Sequence, residues 1–336
     1  MRQAAPESRS TQQRKDEIMT LANHQNSKKT KNAGVSPTAP KAHQKANVEK
    51  DLRQDVTNRI IELMEGGVTE WKKSWRTAAE SGIPKNAVTG MPYRGINIVL
   101  LWMAAFQSGF TSNKWMTFIQ AKQLGANVIK GQKGTYGIKY KLVEKKDTKA
   151  AEPEFYPMTK PFYVYNLDQI ENLPDGFKSD PVLLPNTFVA DDVADKFINA
   201  TGAIVEHRGN AAFYSPVWDK IVLPQREAFE STASYYATAF HELVHWTGQT
   251  GRLNRLQSTK FGDDEYIFEE LVAEIGSAMV AAQFGFIDAT IHEHASYLDG
   301  WIKILKEDKT AIFKAAKQAS AAYEYLLQIS QTPLTF

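Results

Sequence analysis

Ser234-Tyr-Tyr-Ala-Thr-Ala-Phe-His-Glu-Leu-Val-His-Trp-Thr-Gly248 is the stretch on which the reading of the whole chain turns. Tyr235, Tyr236, Ala239, Phe240, Leu243 and Val244 recur at three- and four-residue spacing, which predicts a helix, and Gly248 and Gly251 stand where such a helix ends. On that helix His241 and His245 share a face with Cβ atoms about 5–6 Å apart. Both imidazoles can therefore reach one Zn²⁺ through bonds of roughly 2.0–2.1 Å. Glu242 lies one helical step, about 100°, from His241, beside the metal, where its carboxylate can take a proton from a metal-activated water. His241-Glu-Leu-Val-His245 is thus the H-E-x-x-H pattern of zinc hydrolases, with Glu242 as the general-base candidate. The plainer alternative is a pair of solvated histidines on a surface helix.

A zinc site needs a third protein ligand. The position ten residues after His241 is Gly251, which excludes the metzincin arrangement. Downstream, Tyr266-Ile-Phe-Glu-Glu-Leu-Val-Ala-Glu-Ile-Gly-Ser-Ala-Met279 predicts a second helix whose Phe268, Leu271, Val272, Ile275 and Met279 form a buried stripe. Glu270 and Glu274 share a face of it. Glu270 is assigned as the third ligand and Glu274 as the carboxylate that orients a ligating histidine from behind. Glu269 is expected to point elsewhere. An amphipathic helix with a solvated acidic face is the alternative.

The chain has 336 residues, room for two domains each with its own core, and no cysteine, which excludes disulfides and thiolate ligands and fits a reducing cytoplasm. It has no apolar run of about 18 residues and no apolar segment behind its N-terminal charges, so neither a membrane span nor secretion is expected. The formal charge of +2 conceals a division along the chain. Residues 1–146 carry 25 Lys+Arg against 11 Asp+Glu, a net of +14, and the remainder carries −12. The first half therefore has the sign for a polyanion. Residues 1–47, rich in Gln, Ser, Lys, Asn, Pro and Ala, are predicted to be a disordered basic tail.

Order is expected from Val48, where Val48, Leu52, Val56, Ile60 and Leu63 predict a helix closed by Gly66-Gly67. Trp71 and Trp75 follow among basic residues. An apolar helix over 98–106 ends at Gly109, a short helix ends at Gly125, and residues 127–143 alternate about Gly131-Gln-Lys-Gly134, which predicts a β-hairpin. Lysines interleaved with aromatics are the recipe for single strands, because cations follow the phosphates while rings stack on bases. On that basis Trp71, Trp75, Arg94, Lys114, Trp115, Lys130, Lys133, Tyr136, Lys139 and Lys141 are the candidate single-stranded-DNA contacts, whereas Trp102, Phe106 and Phe118 are read as core. A polar excursion over 144–160 and a strand over 161–166 precede a linker near 173–185.

In the second half a helix around 191–197 is followed by strands at 203–207, 211–214 and 220–224. The strand ahead of the metal helix could present its edge to an extended peptide, or be an ordinary sheet strand. Helices near 289–305 and 309–327 contribute Trp301, Ile304, Leu305, Ile312, Phe313, Ala316 and Tyr323 to the core, and His292 and His294 are read as surface groups. The fold class is α+β, with a first domain over 48–180 and a second over 181–336.

Taken together, Ile83-Pro-Lys-Asn-Ala-Val-Thr-Gly-Met-Pro-Tyr-Arg-Gly-Ile-Asn97, Trp115-Met-Thr-Phe118 and Val128-Ile-Lys-Gly-Gln-Lys-Gly134 resemble the N-terminal domain that ArdC-type antirestriction proteins share with plasmid primases of the TraC type. The stretch from Tyr214 to Pro224, the metal helix, Glu269-Glu-Leu-Val-Ala-Glu274 and Tyr297-Leu-Asp-Gly-Trp-Ile-Lys-Ile-Leu-Lys306 look like the zincin-type metallopeptidase domain of polyvalent proteins. The resemblance implies a single-stranded-DNA-binding domain and a zincin-like domain in a protein that shields incoming conjugative-plasmid DNA from host restriction. It leaves three readings open: a zinc peptidase acting on DNA-bound host proteins, a DNA-binding shield with a structural zinc, and a regulator that binds a restriction enzyme directly. The basic tail lies outside the resemblance.

Overall fold

The computed structural model describes residues 51–66, 82–144, 155–177, 192–256, 262–286 and 295–331. The predicted tail, Trp71, Trp75, His292, His294 and the boundary expected at 180/181 lie outside them. Helix α1 (Leu52–Glu65) starts where the Asp51 carboxylate accepts from the N–H groups of Arg53 and Gln54, satisfying donors that a first turn leaves open. Its Val56, Ile60 and Met64, four residues apart, are buried. Strand β1 (Lys85–Asn86) leads to α2 (Ile96–Ser108), apolar on most sides, with Trp102 buried and Gly109 at its end. Then come β2 (Lys114–Met116), α3 (Phe118–Gln123), β3 (Asn127–Val128), β4 (Thr135–Glu144), β5 (Phe155–Asn166) and β6 (Ile170–Glu171).

The first sheet has the order β1-β2-β5-β4, with β1 parallel to β2 and the other pairs antiparallel. This corrects the hairpin expected about residues 131–134: β3 pairs with β6, and the long hairpin is β4 with β5. Two things misdirect the sequence reading. Ile129 donates to the Gln169 carbonyl (2.9 Å) and the Gln169 amide to that of Lys133 (2.9 Å), so both sides of this turn are tied to residue 169 and its flanks do not pair with each other. Strand β5 also contains Pro157 and Pro161, which look like loop chemistry. Ile138, opposite Pro161, gives its N–H and C=O to the Asn97 side chain (2.7 and 2.9 Å), so that pair makes no ladder bonds and needs no proline N–H. On its other side β5 meets β2 only at Tyr165 and Asn166, leaving an edge where proline is tolerated.

The second half opens with α4 (Asp192–Ala200) and three strands, β7 (Ile204–His207), β8 (Phe213–Ser215) and β9 (Lys220–Leu223), in the order β7-β9-β8. Strand β9, immediately ahead of the metal helix, is therefore central and has no edge to offer. The edges belong to β7 and β8. Helices α5 (Thr232–Thr247), α6 (Asp264–Phe284), α7 (Ala295–Glu307) and α8 (Ala311–Ile329) complete the fold, and the predicted core residues Trp301, Leu305, Ile312, Phe313, Ala316 and Tyr323 are buried. No helix among the described residues is long and apolar enough to cross a membrane.

One core joins both halves. Val56, Ile60, Trp102 and Ile138 belong to the same cluster as Leu243, Val244, Ile275, Trp301 and Leu326. Helix α1 packs on α7, where Thr57 Oγ1 donates to the Lys309 carbonyl (2.9 Å) and Lys306 pairs with Glu65 (2.7 Å). The start of α2 meets α8, where the Gly95 N–H donates to Ser320 Oγ (2.8 Å). Each fully buried aliphatic side chain contributes about 1.5–3 kcal/mol, so the α1–α7 contact alone holds the halves together by several kcal/mol.

Candidate metal centre

Helix α5 begins at Ser231, whose hydroxyl accepts from the Ser234 N–H (3.0 Å), and carries His241, Glu242 and His245 as predicted. Helix α6 begins at Asp263, capping the Tyr266 N–H (2.8 Å), and brings Glu270 against them. The two helices approach closely because residue 276 is glycine: a Cβ there would stand 3.0 Å from both Val244 methyl groups. Nε2 of His241 and Nε2 of His245 are 3.1 Å apart, and the Glu270 oxygens lie 3.3 Å from the first and 3.5 Å from the second. Four ligands held at about 2.0–2.1 Å in a tetrahedron stand about 3.3–3.4 Å from one another. The three residues thus fit a divalent metal with one position left open, and among the described residues they are the one group of His, Asp and Glu side chains so arranged.

The electrostatics favour the same conclusion. Burial would lower the His245 pKa, but the hydrogen bond to Glu269 and the charges of Glu270, Glu269 and Glu242 outweigh it and push it up to about 9. Burial acts to raise that of Glu270, and its bonds to His241 and Tyr266 and the charges of both histidines hold it down at about 2. A divalent metal at these three residues would compete with a proton for His245. Burial raises the pKa of Glu242 against the lowering effect of the two histidines, with the Tyr214 backbone N–H also bonded to its carboxylate.

A supporting carboxylate stands where the sequence did not place one. Glu269, predicted to point away, lies 3.2 Å from His245 Nδ1. An imidazole presents its two nitrogens on opposite edges, so the ring of His245 is flanked by carboxylates from adjacent positions of α6, Glu270 at Nε2 and Glu269 at Nδ1. Glu269 fixes Nδ1 as the protonated nitrogen and leaves the Nε2 lone pair for a metal. It is itself clamped by Arg255 (3.0 Å), which also donates to Thr247 Oγ1 (2.9 Å) and to the Val244 carbonyl at the end of α5. Glu274 is buried one turn beyond Glu270. Sequence reasoning also missed Tyr266, one turn before Glu270, whose hydroxyl helps hold the Glu270 carboxyl below its usual pKa. The signal for it was the same i, i+4 spacing that paired the histidines.

At the base of the site the edge strand β8 is locked to the end of α5. Tyr214 donates to Asp219 (2.8 Å), Arg252 pairs with Asp219 (2.5 Å) and donates to the Trp246 carbonyl (2.6 Å), and its guanidinium lies 3.9 Å over the Trp246 ring.

The candidate DNA contacts divide sharply. Trp115 is 1% exposed, enclosed with Leu101, Ala105 and Val164 between α2 and the sheet, and offers no face to a base. Tyr136 is likewise buried beneath Arg59 (4.9 Å), with its hydroxyl on Asp55 (3.2 Å) and its pKa pushed up by burial to about 12. Arg94 pairs with Glu324 (3.2 Å). Lys130, Lys133, Lys139 and Lys141 are exposed, and Lys114 is half-buried. The register sets Lys139 opposite Lys160 and Lys114 opposite Lys85. The exposed rings are others: Phe118 (54%), read as core from the sequence, Tyr140 (55%) and Tyr163 (57%). Alternation along β4 and β5 would have found the tyrosines had the strand pairing been known.

Comparison with known proteins agrees with this geometry. Residues 192–318 match the family model of a zincin-like metallopeptidase and residues 50–165 that of the N-terminal domain of anti-restriction factor ArdC. The metal-free crystal structure of the antirestriction ArdC protein from plasmid R388 is 39% identical, superposes with a TM-score of 0.73, and covers 84% of this chain and 98% of its own. Its Mn(II)-bound form is 38% identical with a TM-score of 0.70, covering 84% and 99%. The DNA primase TraC of Escherichia coli is 35% identical over 306 residues, which are 85% of this chain but 28% of the primase. With both halves matched in order and the R388 protein covered almost end to end, the chain belongs to the ArdC antirestriction family.

Proposed function

We propose that this chain is an antirestriction protein that binds single-stranded DNA through its first sheet and carries a zinc peptidase centre at His241, His245 and Glu270. The observation that carries the proposal is the buried Glu242 carboxylate set beside a complete, supported His, His, Glu ligand group. A structural zinc needs no base beside it. Zinc is preferred to manganese because nitrogen and oxygen donor sets bind Zn²⁺ more tightly. When bound, the metal supplies Lewis acidity to a peptide carbonyl and to a water. Glu242 takes the proton from the attacking water and returns it to the leaving amine nitrogen, a transfer suited to a carboxylate whose pKa burial raises. Strand β8 lies at an edge of its sheet, and its Tyr214 N–H bonds to the Glu242 carboxylate, so that edge stands beside the base.

The DNA part rests on exposed rings and exposed lysines of the first half: Tyr140 and Tyr163 on one face of β4–β5, Lys139, Lys141 and Lys160 on the other, and Phe118, Lys130 and Lys133 beyond them. This surface also favours a second reading, protection by occupying DNA without turnover. Transfer of unmodified plasmid DNA into a restricting recipient separates the two. Glu242→Ala protein that keeps its metal and its DNA affinity should lose protection. Full protection by that variant would reject hydrolysis as the protective step and leave the shield.

A further inference from the structure

Tyr266 and Tyr297 connect the metal centre to helix α7. Tyr266 precedes Glu270 by four residues on α6 and stands on the same face, with its hydroxyl near enough to the carboxylate to help hold the Glu270 pKa down. The Tyr297 hydroxyl lies 3.3 Å from the Tyr266 hydroxyl. A phenol has one proton to donate and lone pairs to accept. With the Tyr266 proton committed to Glu270, the Tyr266 oxygen accepts from Tyr297, giving a one-directional chain from Tyr297 through Tyr266 to Glu270.

The partner helix is held in place for this contact. A Cβ at Gly300 would stand 3.0 Å from Ile267, so glycine lets α7 lie directly on α6, and Trp301 Nε1 donates to the Ile267 carbonyl (2.9 Å). Tyr297, one turn earlier, stacks on Trp301 with centroids 6.2 Å apart and planes 23° apart. Its position is therefore fixed by packing independent of any metal. Glu270, by contrast, ends a flexible side chain that without a donor has several orientations to lose on binding.

We propose that the two phenols position the third metal ligand: Tyr266 fixes the direction of the Glu270 carboxylate, Tyr297 fixes Tyr266, and the docking of α7 on α6 thereby tunes how tightly the centre holds a divalent metal. The proposal rests on His241, His245 and Glu270 being a metal centre, and goes beyond it by assigning residues that touch no metal.

The test uses the full chain, stripped by a chelator and titrated with Zn²⁺ and, separately, Mn²⁺ against a chromophoric competitor. Tyr266→Phe should weaken metal binding by about 10–100-fold, and Tyr297→Phe by a smaller factor. The double variant should be no weaker than Tyr266→Phe alone, since Tyr297 acts only through Tyr266. With Co²⁺ in place of Zn²⁺, Tyr266→Phe should shift the visible absorption bands, which report the ligand field. Metal-free unfolding midpoints of both variants should match wild type. Additive losses in the double variant, or unfolding losses equal with and without metal, would show a merely structural pair and overturn the proposal. Wild-type affinity in Tyr266→Phe overturns it alone, whereas a wild-type chain that takes up no metal removes the centre itself.

Discussion

The metal centre and the first sheet solve opposite problems. At the centre, buried polar groups are set against one another: His245 against Glu269, Glu269 against Arg255, Glu270 against the histidines and Tyr266. On the sheet, lysines face lysines across β4–β5 and β1–β2, and among the described residues no carboxylate pairs with Lys85, Lys114, Lys139 or Lys160. Like charges directly opposite disfavour strand pairing by a few tenths of a kcal/mol. The buried network balances its charges within the chain, whereas the sheet leaves like charges facing solvent.

The contrast can be broken by mutation, and the largest effect should come from the centre. His241→Ala should abolish stoichiometric metal binding while single-stranded-DNA affinity and its salt slope stay at wild-type values, as read by metal analysis and fluorescence titration. A fall in DNA affinity would show that the regions are not independent. Next, Arg255→Ala leaves the buried Glu269 carboxylate without its cation and should cost about 3–5 kcal/mol in urea unfolding of the metal-free chain. A loss below 1 kcal/mol would mean that His245 alone neutralises it. Tyr140→Ala or Tyr163→Ala should each reduce single-strand affinity by about 1–3 kcal/mol without affecting the metal, whereas Tyr136→Ala, at a buried ring, should act through stability. The smallest effect belongs to the lysine pair. Lys139→Ala with Lys160→Ala should lower the salt slope by about 1.4, at about 0.7 per phosphate contact, and leave folding stability equal or slightly raised. An unchanged slope would put the phosphates elsewhere, with Lys130 and Lys133 the next pair to neutralise.

What could be read from the sequence follows the same division. The His241 and His245 pair, Glu242 and Glu270 were legible because a helix repeats on itself, and residues four apart need no outside information to share a face. Glu269 was not, because the orientation of the His245 ring and the arrival of Arg255 from the loop after α5 are tertiary facts. Trp115 and Tyr136 were misjudged for a related reason. Which face of a strand is buried depends on the helix laid against it, α2 for one and α1 for the other, and charged neighbours in sequence occupy the opposite face. The β4–β5 hairpin was hidden by two prolines, tolerated because β5 meets β2 only at Tyr165 and Asn166 and is unpaired on that side along the rest of its length.

The contact between α1 and the α7–α8 junction also constrains how the chain is made. Thr57 bonds to Lys309 across 252 positions and Asp51 to Lys309 across 258. At about 5–20 residues per second, a ribosome takes roughly 10–50 s to produce that partner after α1 emerges. During this interval Val56, Ile60 and Met64 have no helix to cover them, and contacts so distant in sequence form late and slowly. The cover over α1 is therefore completed only after the last helices are synthesised, and nascent chains halted before residue 309 should be held by chaperones.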